Sequence, residues 1–164
     1  MKRAIIIKGP SGVGKSSVSS LICKNNNYKH CDADEFKWLF SHKRSKERTQ
    51  IGESICYIYT KELIKNKYNI IIEALPGNYI KKLIPLLKKN KYKIIRIVLQ
   101  APLKQCIKNN TLRKRKGYDE QVIREVYDRL SSNEGDKINV SNKSVQQIYN
   151  LIRKKYFQNN KKRS

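Results

Sequence analysis

Apolar positions along the chain follow two alternating patterns. Short β-branched runs predict strands over 4–8, 29–31, 69–74, 93–99 and 137–140. The longer segments between them repeat apolar residues at i, i+3 and i+4, which predicts helices over 15–25, 35–41, 51–66, 79–89, 103–112, 120–132 and 144–157. Strands alternating with helices build a parallel sheet, because a parallel neighbour needs a crossover long enough to hold a helix. An α/β fold with five strands is therefore expected. The stripe Ile51, Ile55, Ile58 and Leu63 is expected to face its core.

Length supports this picture. With 164 residues and 38% hydrophobic content, the chain can fill one core but not two. A single domain is expected over 1–157, and 158–164 read as a basic tail without apolar anchors, either a solvated end or an arm for nucleic acid. No apolar run reaches the ~20 residues of a membrane span, and Met1-Lys2-Arg3 leads into an apolar run far too short for a signal-peptide core. A soluble, cytoplasmic protein is the expectation. Cys23, Cys31, Cys56 and Cys106 stand apart from one another without metal-ligand spacing, so reduced and mostly buried thiols are expected.

A net charge of +24 changes the set of partners to consider. Such a surface attracts nucleic acid and other polyanions. Most of the cations are lysines in a chain also rich in asparagine and isoleucine, however, so an AT-rich coding sequence is a competing cause.

The strongest chemical signal follows the first strand. Gly9-Pro10-Ser11-Gly12-Val13-Gly14-Lys15-Ser16 satisfies G-x-x-x-x-G-K-S/T between a strand and a helix. Glycines at Gly9, Gly12 and Gly14 let the backbone amides of Ser11, Val13 and their neighbours approach phosphate, and the helix start at Lys15, Ser16 and Ser17 adds a favourable dipole. Lys15 would reach the terminal phosphates and Ser16 would hold Mg2+. A nucleoside triphosphate is the expected ligand, taken as ATP with GTP left open.

Three further clusters bear on the reaction. Asp32, Asp34 and Glu35 follow the second strand, at the sheet edge where α/β folds bind ligands. Asp34 could take the proton from an acceptor hydroxyl, or it could cap the helix expected to begin at Glu35. Glu73 ends an apolar strand where a carboxylate could order Mg2+, though a carboxylate at a strand end is also common. Arg113, Lys114, Arg115 and Lys116 join two helices, where they could close over ATP as a lid or simply form a solvated basic run. Trp38 and Tyr118 are the aromatic residues nearest these clusters, able to stack on a base or to pack.

Taken in order, the cradle, "DADEFKW", "IIIEAL", "IVLQAPLKQCIKNNTLRKRKGYDEQVIREVYDRL" and "KINVSNKS" resemble the small P-loop kinases related to polynucleotide 5'-hydroxyl kinase, zeta toxin and chloramphenicol phosphotransferase. The resemblance implies a three-layer P-loop NTPase fold, strand order 2-3-1-4-5 and a helical lid. It also implies Lys15 and Ser16 as cradle lysine and Mg2+ ligand, Asp34 as general base and Arg113 as the lid arginine on the transferred phosphate. Lys37 falls where such kinases often place a cation for a substrate phosphate, with Asp32 and Arg115 beside it as further substrate-binding candidates. Asn109 departs from the pattern, standing where relatives commonly carry a second lid arginine for which Arg115 could substitute; Glu73 replaces the more usual aspartate. The expected activity is transfer of the γ-phosphate to a hydroxyl, with a polynucleotide 5'-OH favoured, the single-stranded 5' end being the implied partner. A small-molecule kinase and a nucleotide-dependent regulatory or nucleic-acid-binding module are the alternatives.

Overall fold

The structure is a computed structural model, and it describes residues 1–74, 78–112, 118–130 and 135–157. Five strands run parallel: β1 (Arg3–Lys8), β2 (Tyr28–Asp32), β3 (Asn69–Ala74), β4 (Lys93–Gln100) and β5 (Asp136–Asn139), in the order β2-β3-β1-β4-β5. Their connections carry α1 (Lys15–Asn26), α2 (Ala33–Phe40), α3 (Lys46–Lys65), α4 (Asn78–Lys89), α5 (Leu103–Thr111), α6 (Glu120–Leu130) and α7 (Val145–Tyr156). The expected order and three-layer architecture are both present.

Alternation along the central strand divides the core. Ile5 and Ile7 point to one face, where Val18 and Ile22 of α1, Cys106 of α5, Ile123 of α6 and Ile148 and Ile152 of α7 cover them. Ala4 and Ile6 point to the other, against Cys56 and Ile64 of α3 and Leu83 and Leu87 of α4. Ile5, Ile6 and Ile7 are all fully buried, which explains why this strand reads as a continuous apolar run. Cys31, Cys56 and Cys106 are buried free thiols, and Cys23 is half-buried.

Two sequence expectations need correction. The helix α3 begins at Lys46, five residues before the expected start, because the Ser45 hydroxyl accepts from the Arg48 amide at 3.0 Å and caps a polar first turn. The stripe of Ile51, Ile55, Ile58 and Leu63 does not face the core as a unit, since Ile55 and Ile58 are exposed. The buried line instead runs through Arg48, Gly52, Cys56, Thr60 and Leu63–Ile64. Small residues on that line let α2 lie close against α3, so packing selects them over the larger isoleucines.

Gly52 is the point of closest approach. A Cβ there would lie 2.4 Å from Cγ and 2.9 Å from the backbone nitrogen of Lys37. Alanine normally favours a helix interior over glycine by ~1 kcal/mol, but here the backbone of α2 would have to move. Gly52→Ala is therefore expected to destabilise the protein by about 1–3 kcal/mol, read as a lowered midpoint in thermal unfolding.

Candidate active site

The cradle links β1 to α1 at the C-terminal edge of the sheet. Gly12 and Gly14 adopt φ of 81° and 95°, which turn the loop around the space ahead of α1. Gly12 also lies against α5, where a Cβ would come within 2.1 Å of the Cys106 carbonyl oxygen. A Cβ on Gly14 would meet nothing within 4 Å, so the loop is open there. The N-cap of α1 is Gly14, which brings no side chain, and its first turn holds no acidic residue. The first amides of α1 are thereby left to an anion, as a phosphate site requires. Lys15 Nζ bends back to donate to the carbonyl oxygens of Gly9 at 2.9 Å and Pro10 at 3.0 Å.

Beneath the cradle, Ser16 donates its hydroxyl to Glu73 Oε2 at 2.9 Å, while His30 Nε2 meets the other carboxylate oxygen at 2.7 Å. Parallel register explains the grouping, since β2 and β3 pair Asp32 with Glu73 and His30 with Ile71. Burial pushes the Glu73 carboxyl up, but His30, Lys15 and Ser16 together hold it below its usual range. Burial likewise disfavours His30 charging, and the Glu73 carboxylate overcomes this and raises its pKa. His30, Asp32 and Glu73 each bring one ligand atom within 4.8 Å of the others, so with Ser16 they form the part of the site suited to a divalent cation. His30 was missed in the sequence; its position two residues before Asp32 on the same strand was the available signal.

Asp32, not Asp34, caps α2. Its carboxylate accepts from the Asp34 amide at 2.9 Å, and the helix starts at Ala33 rather than Glu35. Burial, with Glu73 and Asp34 nearby, pushes the Asp32 pKa up to about 7. The Asp34 side chain is free of capping and is held instead by two donors: Lys37 Nζ at 3.1 Å and the Tyr118 hydroxyl at 3.2 Å. Burial works against its charge, but Lys37, Lys15 and Tyr118 keep its pKa below the ordinary value. Tyr118 responds in the opposite sense, its pKa pushed up to about 12 by burial and by Asp34.

Asn110 joins these parts. It is buried, and its Oδ1 accepts from the Ser11 hydroxyl at 3.1 Å and the Tyr118 amide at 3.2 Å. Its Nδ2 donates to the Tyr118 carbonyl at 2.7 Å. Asn109 adds a bond from Nδ2 to the Gly12 carbonyl at 2.9 Å, so this asparagine supports the cradle backbone. Arg113 and Arg115, with the rest of 113–117, lie outside the described residues.

Three hollows surround these groups. A narrow one, about 30 Å³, is lined by Lys15, Asp32, Asp34, Lys37, Glu53 and Glu73. Next to it opens a cleft of about 1020 Å³ lined by Glu35, Trp38, Leu39, His42, Lys43, Arg44 and Asp119. Arg44 lies 4.2 Å over the Tyr118 ring, and buried Arg48 lies 4.4 Å over the Trp38 ring while donating to the Lys37 carbonyl. The third hollow, about 270 Å³, lies on the outer side of the cradle between Gly12, Val13, Gln105, Asn109, Lys143 and Ile148.

Comparison with known proteins identifies the family and the fold. Residues 5–134 match the family model described as AAA domain (AAA_33), and the chain belongs to that family. No curated protein matches the chain in sequence. Among solved structures, a sugar kinase from Janibacter sp. HTCC2649 superposes with a TM-score of 0.67 at 14% identity, covering 94% of each chain. The tunicamycin resistance protein of Deinococcus radiodurans gives 0.66 at 14% identity, covering 94% of this chain and 95% of that one. A chain of the Pnkp1/Rnl/Hen1 RNA repair complex gives 0.64 at 20% identity, covering 79% of this chain and 44% of its own. The fold is that of P-loop kinases.

The two donors on Asp34 make a direct prediction. Tyr118→Phe removes one of the groups that favour the carboxylate, so the Asp34 pKa is expected to rise, measured by following its side-chain carboxyl carbon in an NMR titration.

Proposed function

We propose that this protein is an ATP-dependent, Mg2+-requiring phosphotransferase that moves the γ-phosphoryl group to a hydroxyl, with a polynucleotide 5'-hydroxyl as the favoured acceptor. The observation that carries this reading is the position of Asp34. It is ionised, held by Lys37 and Tyr118, and stands on the same sheet edge as the cradle, beside a cleft with room for a nucleotide-sized acceptor.

In the proposed reaction, the cradle amides and Lys15 hold the β- and γ-phosphates, and the hollow by Gln105 and Asn109 takes the nucleobase. Ser16 and Glu73 would hold Mg2+, which supplies charge neutralisation on the phosphates. An acceptor hydroxyl enters from the large cleft. Its oxygen forms a bond to the γ-phosphorus as the bond to the ADP oxygen breaks, and its proton passes to the Asp34 carboxylate. Lys37 and Tyr118 keep Asp34 deprotonated and oriented for this step. Trp38 offers a face for a base, and Lys43 and Arg44 offer charge for a strand phosphate. Arg113 and Arg115 are proposed as lid residues on the transferred phosphate and the substrate.

A small hydroxyl compound is the second reading, supported by the sugar kinase and by a gluconokinase from Sinorhizobium meliloti 1021 among proteins of similar fold. The deciding experiment transfers label from γ-labelled ATP to 5'-hydroxyl DNA and RNA, nucleosides, sugars and water. Label on an oligonucleotide supports the polynucleotide reading, label only on a small molecule supports the second, and phosphate released to water alone overturns both. Lys15→Ala is expected to abolish transfer and weaken ATP binding. Asp34→Asn is expected to lower kcat by about 10²–10⁴-fold while ATP binding, measured by calorimetry, stays near that of the unaltered protein.

A further inference from the structure

The edge of the sheet opposite the candidate active site has a repeated construction. Helices α1, α3 and α4 each end there in a tight turn into the next strand, spelled Lys24-Asn-Asn-Asn-Tyr28, Lys65-Asn-Lys-Tyr68 and Lys89-Asn-Lys-Tyr92. In each turn the residue before the tyrosine adopts the left-handed conformation: Asn27 at φ 52°, Lys67 and Lys91 at φ 57°. The hydrogen bonds of the last two turns correspond one for one. Lys67 donates to Ile64 and Tyr68 to Leu63, as Lys91 donates to Lys88 and Tyr92 to Leu87. Glycine is the favoured residue at such a position, yet both turns place an exposed lysine there.

Side-chain contacts tie neighbouring turns together. Lys67 Nζ donates to Asn90 Oδ1 at 3.1 Å, and the Tyr92 hydroxyl donates to the Tyr68 carbonyl at 2.7 Å. Exposed Tyr68 carries the Lys29 ammonium 5.4 Å from its ring centroid. Because β2, β3, β1 and β4 are neighbours, the turns and exposed Lys2 at the start of β1 lie in a row about 14 Å long, at ~4.8 Å per strand. No carboxylate occurs within residues 24–29, 65–69 or 88–93, and the nearest along α3, exposed Glu62, lies 3.6 Å from Lys65 Nζ. The opposite edge, by contrast, gathers Asp32, Asp34, Glu53 and Glu73. There Lys15 and Lys37 stand among the carboxylates, whereas cations predominate in the turns.

We infer that this edge is a binding surface for the phosphate backbone of a single nucleic acid strand. A fixed row of like charges repels itself, and a linear polyanion relieves that repulsion while releasing its counterions. A lipid surface fits less well, since Tyr28 and Tyr92 of this edge are buried and the exposed Tyr68 ring lies under the Lys29 ammonium, which leaves little apolar surface beyond Met1 for insertion. Binding at this edge needs neither ATP nor the kinase reading.

The test uses the full chain without nucleotide and a fluorescent, 5'-phosphorylated single strand of about 20 nucleotides, which has no free 5'-hydroxyl and reports binding alone. Anisotropy is expected to show saturable binding that weakens about 100-fold between about 50 and about 200 mM salt, as roughly five phosphate contacts require. The variant Lys65→Gln, Lys67→Gly, Lys89→Gln, Lys91→Gly removes four charges, and its glycines suit the left-handed turns. It is expected to bind about tenfold or more weakly, with a shallower salt dependence. The charge-matched variant Lys81→Gln, Lys82→Gln, Lys104→Gln, Lys108→Gln should bind within about threefold of the unaltered protein. Equal losses in both would mean diffuse attraction to a basic composition, and loss confined to the second would put the strand at the catalytic edge; either overturns the inference. So would failure of the unaltered protein to bind the strand while it binds vesicles about one-third phosphatidylserine. Circular dichroism checks folding, with Lys67→Gly, Lys91→Gly alone as the milder variant.

Discussion

The buried amide of Asn110 is the constraint on which the site depends. One side chain holds the Ser11 hydroxyl of the cradle and both backbone groups of Tyr118, whose hydroxyl reaches Asp34. A buried amide that loses its partners costs about 1–3 kcal/mol per unsatisfied group. The cradle, the start of the segment leading into α6 and the carboxylate on α2 are therefore held in one arrangement. With Asn109 on the Gly12 carbonyl and α5 packed against Gly12, the phosphate loop rests on a helix far from it in sequence.

Electrostatics then distinguishes carboxylates that stand close together. Asp32 is half-buried between Glu73 and Asp34, lacks a cationic side-chain partner of the kind Lys37 gives Asp34, and is driven toward its neutral form. Asp34 and Glu73 also lose solvent, but each has a cationic side chain and a hydroxyl donating to it, and they stay charged. The result is two ionised carboxylates with separate surroundings: one beside the cradle serine, the other beside the open cleft. That division suits a reaction in which one group organises phosphate charge and another receives a proton.

Net charge conceals an uneven distribution. The +24 total reads in the sequence as a uniform excess, and genomic composition is an adequate explanation for such an excess. In three dimensions Asp32, Asp34, Glu53 and Glu73 come together at one edge of the sheet, while cations predominate in the turns at the other. Composition alone does not require lysine in a left-handed turn, nor hydrogen bonds that tie two such turns together.

Much of this was legible in the sequence where local chemistry has few solutions. The run through Ile5–Ile7 reads as a buried strand, and the glycine spacing before Lys15 and Ser16 reads as a phosphate loop, because each pattern points to one local backbone geometry. What could not be read depends on partners distant in the chain. Whether Asp32 or Asp34 caps α2, which stripe of α3 is buried, and that His30 pairs with Glu73 are decided by strand register and by how closely α2 packs on Gly52. Periodicity offers α3 two acceptable faces, and a strand end offers a carboxylate many neighbours. Only the tertiary structure chooses among them, because the choice is made by contact between segments that are far apart along the chain.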